Sequence, residues 1–103
     1  MQQMRVIVIL TLIMSAAGQI LPIKLSNLAR SETARATQSG TYIDTNTKKY
    51  YGAKLAIDGN YNQFWIGGSC AHTWTNQNHA WWQLDLGHTS HINRVVLYYR
   101  KDI

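Results

Sequence analysis

Trp81-Trp82-Gln83-Leu84-Asp85-Leu86 places an apolar side chain at every second position: Trp82, Leu84 and Leu86 alternate with Gln83 and Asp85. A period of two is the signature of a β-strand with one buried face. Residues 87–90 supply a turn, and residues 92–101 return as a β-branched and aromatic run that includes Val95, Val96, Leu97, Tyr98 and Tyr99. That composition predicts a second strand, more deeply buried than the first. The chain has no long amphipathic helix and no internal repeat. The class expected is all-β, a sandwich or jelly roll.

Upstream of this pair the pattern is looser. Residues 34–40 are rich in Thr and Ser and read as a short strand entering a loop. Residues 41–51 are polar and Tyr-rich, with no clear period. Ala53-Lys54-Leu55-Ala56-Ile57 contains good helix formers and predicts about one helical turn. Asp58-Gly59-Asn60 ends it, because Gly and Asn tolerate a positive φ. Phe64-Trp65-Ile66 gives way to a loop at Gly67-Gly68-Ser69-Cys70, and residues 76–79 form another loop.

The N-terminus has a different character. Arg5 supplies a positive charge, residues 6–14 are apolar apart from Thr11, and Ser15-Ala16-Ala17-Gly18 are small. Together these predict a secretory signal peptide over residues 1–18 and a secreted, extracellular product. The apolar run is shorter than the roughly 20 residues a spanning helix needs. Residues 19–25 form a linker with the only proline, Pro22, and the domain runs over 26–103. A formal charge of +5 is spread over scattered Lys and Arg without a basic stripe, which argues against a nucleic-acid partner. The single cysteine, Cys70, has no partner of its own kind within the sequence. In a secreted chain it predicts a disulfide partner elsewhere.

Four pieces in order carry a resemblance: Asn27-Leu28-Ala29, Ala56-Ile57-Asp58-Gly59-Asn60, Gly68-Ser69-Cys70-Ala71-His72, and Trp81-Trp82-Gln83-Leu84-Asp85-Leu86. Their order and spacing resemble the F-type lectin (fucolectin–tachylectin–pentraxin) domain. That family is a discoidin-like jelly-roll β-sandwich that binds L-fucose and carries a structural calcium. The resemblance covers nearly all of residues 26–103 and implies a partial domain, since the family's later strands have no counterpart.

The resemblance implies a sugar site made by His72, Arg100 and Asp102, with Trp65 as an apolar wall for the fucose methyl. The spacing from His72 to Arg100 is one residue longer than the family's usual pattern, and a second basic residue would fall beyond Ile103. The chemistry suits a neutral sugar: Arg100 offers a planar fork of donors, His72 a ring N–H, and Asp102, two residues from Arg100 on a strand, a carboxylate to fix the guanidinium. The resemblance also implies calcium ligands at Leu55 and Asn60 through their carbonyls, at Asp58 and at Ser69. It pairs Cys70 with a late cysteine. His79, His88 and His91 match nothing in the family and are expected at the surface, and Trp82 is expected in the core.

The function expected is therefore a non-enzymatic lectin for fucosylated glycans, acting outside the cell, for example in innate defence, as a homo-oligomer or within a larger multidomain product. The alternatives are a discoidin-like adhesion or interaction module without fucose binding, and an inactive truncated fragment. A glycosidase would need two positioned carboxylates, and no such pair stands out.

Overall fold

The alternating segment does form a strand, over Trp82–Asp85. The computed structural model describes residues 7–9 and 25–102. The predicted signal peptide, apart from Ile7–Ile9, and nearly all of the linker lie outside the described residues. Among the described residues four strands run in order: β1 (Ile7–Ile9), β2 (Arg35–Gln38), β3 (Trp82–Asp85) and β4 (Arg94–Val96). Helical structure among the described residues is confined to three 3-10 turns, Leu28–Arg30, Ala53–Ile57 and Trp65–Gly67.

β2 and β3 pair antiparallel, with Arg35 opposite Asp85, Ala36 opposite Leu84, Thr37 opposite Gln83 and Gln38 opposite Trp82. The register sorts the two faces. Ala36, Gln38, Trp82 and Leu84 are half-buried, while Arg35, Thr37, Gln83 and Asp85 are exposed. Opposite charges thus face each other on the outer side, a favourable cross-strand pair. Trp82 turns inward and its Nε1–H donates to the Ala53 carbonyl at 3.0 Å, tying the Ala53–Ile57 turn to the sheet. The one-turn helix expected over 53–57 is present as 3-10, and Gly59 beyond it takes φ +84°.

The second pairing is β1 with β4, antiparallel, with Val8 opposite Val95. Here the expectation of a long, deeply buried strand over 92–101 is overturned. Only Arg94–Val96 is strand, Val95 is 54% exposed, and Ile92, Leu97 and Tyr99 are exposed as well. The reason is a lack of cover: among the described residues β4 has β1 as its only strand partner. The chain beyond it is held instead by Gln63, whose carbonyl accepts from Lys101 N at 3.0 Å and whose Nε2 donates to the Tyr99 carbonyl at 2.8 Å.

The buried residues are small. Ala29, Ala34, Ala53, Ala56, Cys70 and Ala71 are buried, as are Tyr51, Ser69, His72 and Thr73. The segment 67–70 is therefore not the open loop its glycines predict. Gly68, at φ +75°, caps the Trp65–Gly67 turn and sends Ser69 and Cys70 inward.

Candidate functional site

Backbone hydrogen bonds join three segments that are distant in sequence. Tyr42 N donates to the His72 carbonyl at 2.9 Å, His72 N to the Tyr51 carbonyl at 3.0 Å, and Tyr51 N to the Tyr42 carbonyl at 3.0 Å. Gln38 Nε2 reaches the Tyr51 and His72 carbonyls, each at 3.2 Å, and Thr41 Oγ1 at 2.9 Å. A tight turn prepares the first two segments. Asp44 Oδ1 accepts from Asn46 N and Thr47 N at 2.8 Å each, and Ile43 bridges to Tyr50. These two backbone N–H groups hold the Asp44 carboxyl below its ordinary value.

The side chains on this frame form one aromatic cluster. Tyr51 stacks on Trp65 with ring centroids 4.1 Å apart and planes 15° off parallel. His72 meets Trp65 edge-on at 5.7 Å and Tyr42 at 4.8 Å. Arg100 lies over Trp65, its Cζ 4.6 Å from the ring centroid. Its Nε donates to Asp102 Oδ1 at 2.5 Å, and Asp102 Oδ2 accepts from Trp65 N at 3.0 Å. The carboxylate thus fixes both the guanidinium and the backbone that carries the ring. The Arg100 hydrogen bond, seconded by that from Trp65 N, holds the Asp102 carboxyl below the usual range. Trp65, His72, Arg100 and Asp102, predicted together, are together in space.

His72 is 9% exposed. Burial pushes its pKa below the ordinary 6.5, the Arg100 charge adds to this, and a hydrogen bond to the Thr73 carbonyl works the other way. Nδ1 lies 2.5 Å from that carbonyl oxygen, which can only accept. The neutral ring therefore carries its proton on Nδ1, and Nε2 presents a lone pair. Where sequence reasoning expects a donor for a ligand, the geometry gives an acceptor. Burial also raises the Tyr51 phenol, with Asp44 second.

The second group of predicted residues lies on the loop after the Ala53–Ile57 turn. Ser69 Oγ donates to Asp58 Oδ2 at 2.5 Å, so these two side chains converge. Asp58 Oδ1 accepts from Asn60 N at 2.8 Å. Leu55 sits within the turn, its N–H bonded to the Gly52 carbonyl. Arg30 Nη1 donates to the Ile57 carbonyl at 2.7 Å and packs against Gly59, where a Cβ would meet its Cζ at 3.3 Å. Cys70 is buried beside Ser69.

Tyr42, Tyr51 and Gln38 were not foreseen. The only signal was the Tyr-rich run 41–51, whose lack of period hid that two of its rings turn to one place. A hollow of about 550 Å³ lies between β2 and the Ala53–Ile57 turn, lined by residues that include Thr37, Tyr50 and Lys54. It gathers no ring nitrogen and no ion pair, so the Trp65–His72–Arg100 cluster is the better-equipped site.

Residues 55–103 match the family model of the NedA-like, galactose-binding domain. The match begins in the Ala53–Ile57 turn and takes in every predicted site residue. A stretch of 57 residues is 39% identical to the pentraxin fusion protein of Xenopus laevis, covering 52% of this chain and 14% of that protein. The chain thus spans a small part of that relative's length. No solved structure matches it. The fold class is all-β and discoidin-like, as the sequence predicts.

Proposed function

We propose that this chain is a secreted carbohydrate-binding module that recognises fucose-containing glycans through His72, Arg100, Asp102 and Trp65. The observation that carries the proposal is the placement of Arg100, fixed by Asp102 and lying over Trp65 beside the buried His72. A sugar hydroxyl both donates and accepts. His72 Nε2 accepts a hydrogen bond from the hydroxyl, and the guanidinium nitrogens not used on Asp102 donate to its oxygen. The aromatic surface of Trp65 and Tyr42 suits the apolar face and methyl of a deoxy sugar. The match to a galactose-binding domain model supports the ligand class.

Four of the five acidic side chains are engaged in structure rather than poised for acid–base work. Asp102 holds Arg100, Asp44 caps a turn, Asp58 accepts from Ser69 and Asp85 from Gly87 N. A paired-carboxylate hydrolase is thus unsupported, which favours binding without catalysis.

Calcium belongs to the proposal. Among the described residues no group of three or more His, Cys, Asp or Glu side chains converges. A metal here would rest on oxygens of the kind calcium prefers: Asp58 and Ser69 side chains, which already converge, with carbonyls of Leu55 and Asn60. Its role would be to hold the Asp58–Ser69 segment, next to Cys70 and His72 in sequence. The proposed secretion places Cys70 in an oxidising compartment, where a disulfide to a second cysteine can form.

The test is retention on immobilised fucose with calcium present, followed by elution with free fucose and, separately, with galactose. Elution by fucose supports the reading. Elution by galactose alone moves the specificity to the other sugar, and absence of retention on either sugar overturns the function.

A further inference from the structure

We infer that Lys49 reads an anionic substituent, a sulfate or carboxylate, on the glycan held at the Trp65–His72–Arg100 cluster. The inference rests on that site being a sugar site and names a class of ligand beyond it. Lys49 is half-buried, with its Nζ 5.2 Å from the Tyr51 ring centroid, and Tyr51 in turn stacks on Trp65. One of its three donors goes to the Gly68 carbonyl at 2.9 Å. The ammonium is therefore anchored one ring away from Trp65, with donors left for a ligand. Gly68 makes the approach feasible, since a Cβ there would stand 2.2 Å from Lys49 Nζ.

Charge separates the two cations of the cluster. Arg100 is paired with Asp102. No carboxylate lies within ion-pair distance of Lys49 among the described residues, and the acid on its own turn, Asp44, caps Asn46 and Thr47. A neutral sugar has no use for an uncompensated ammonium beyond a hydrogen bond. A sulfate or carboxylate would neutralise it in a charge-assisted contact, the stronger kind. The net positive charge, which persists without Arg5 of the predicted signal peptide, favours approach of an acidic glycan.

The experiment is titration calorimetry of the full chain with a methyl fucoside and with its sulfate ester. The readout is the ratio of the two affinities within each variant. The wild type is expected to favour the sulfated sugar by about tenfold, Lys49→Gln to bring the ratio close to one, and Lys49→Arg to keep it. Gly68→Ala, which crowds Lys49 off its anchor, is expected to reduce it too. Raising the salt should shrink the wild-type preference. A wild-type ratio near one, or a preference that survives in Lys49→Gln, overturns the inference while leaving fucose binding standing. Lys49-dependent binding of the sulfated sugar without binding of the neutral one keeps the inference and overturns fucose specificity. Binding of neither sugar overturns both.

Discussion

With its Nδ1–H committed to the Thr73 carbonyl, His72 meets a ligand through the Nε2 lone pair. Protonation turns that acceptor into a donor and adds a charge near Arg100. Because burial and Arg100 hold the pKa below 6.5, sugar affinity should stay level from about pH 8 to below the ordinary histidine range, then fall on further acidification. Calorimetry across that range checks this, and a loss of affinity already above pH 6.5 would contradict it. Stability follows the same sign. Between the lowered folded value and the unfolded 6.5, the unfolded chain binds more protons, so stability falls as pH drops through that window. His72→Ala should cost at least about tenfold in affinity, roughly one hydrogen bond in a buried setting. Arg100→Lys should lose a similar amount with the melting midpoint little changed. A lysine lacks the planar fork that serves Asp102, the Trp65 face and the ligand together. The grouping of Trp65, His72, Arg100 and Asp102 was legible through the family resemblance alone. Tyr42 and Tyr51 were not, because their meeting depends on backbone bonds to His72, thirty and twenty-one positions further along the sequence.

At the scale of elements, the site is built from turns more than from strands. The Ala53–Ile57 turn, the Asp58 loop and the Trp65–Gly67 turn are bound together where Ser69 meets Asp58. Ser69 is buried, so Ser69→Ala removes a hydroxyl from a carboxylate with little water to replace it. The expected cost is about 1–3 kcal/mol of stability, measured by denaturant unfolding. Calcium should raise the wild-type midpoint and raise that of Ser69→Ala by less, since the variant has lost one oxygen of the proposed set. Equal shifts would remove Ser69 from that set. The β3 strand and the 53–57 turn were legible from local pattern: alternation in one, helix formers followed by Asp-Gly in the other. The burial of 92–101 was not. A run of β-branched and aromatic residues records what a segment would bury if covered, and it contains no information on whether cover exists. Val95 and Leu97 show this directly, both apolar and both exposed.

Across the whole molecule, the apolar side chains are distributed against the usual order. Among the described residues, five of the seven buried apolar positions are alanines, whereas Ile66 at 94% exposure, Trp74, Trp81, Phe64, Ile92 and Val95 face outward. Burying alanines removes little apolar area from water, so the gain that makes unfolding cooperative is small. The chain alone should therefore melt over a broad range and bind a hydrophobic dye before the transition; a sharp two-state melt without dye binding would contradict this. The β1–β4 pairing adds a consequence for processing. Ile7–Ile9 lies within the segment expected to be removed on secretion, and it pairs with Arg94–Val96. Removing residues 1–18 leaves β4 with unpaired backbone groups and an exposed Val95, the combination that recruits another strand. A chain lacking residues 1–18 should self-associate more than the full chain in sedimentation velocity. Val95→Lys in that shortened chain should reverse the effect, because an edge lysine cannot be brought against a second copy without losing its hydration. If the shortened chain sediments as the full chain does, the β4 edge is not the surface through which copies meet.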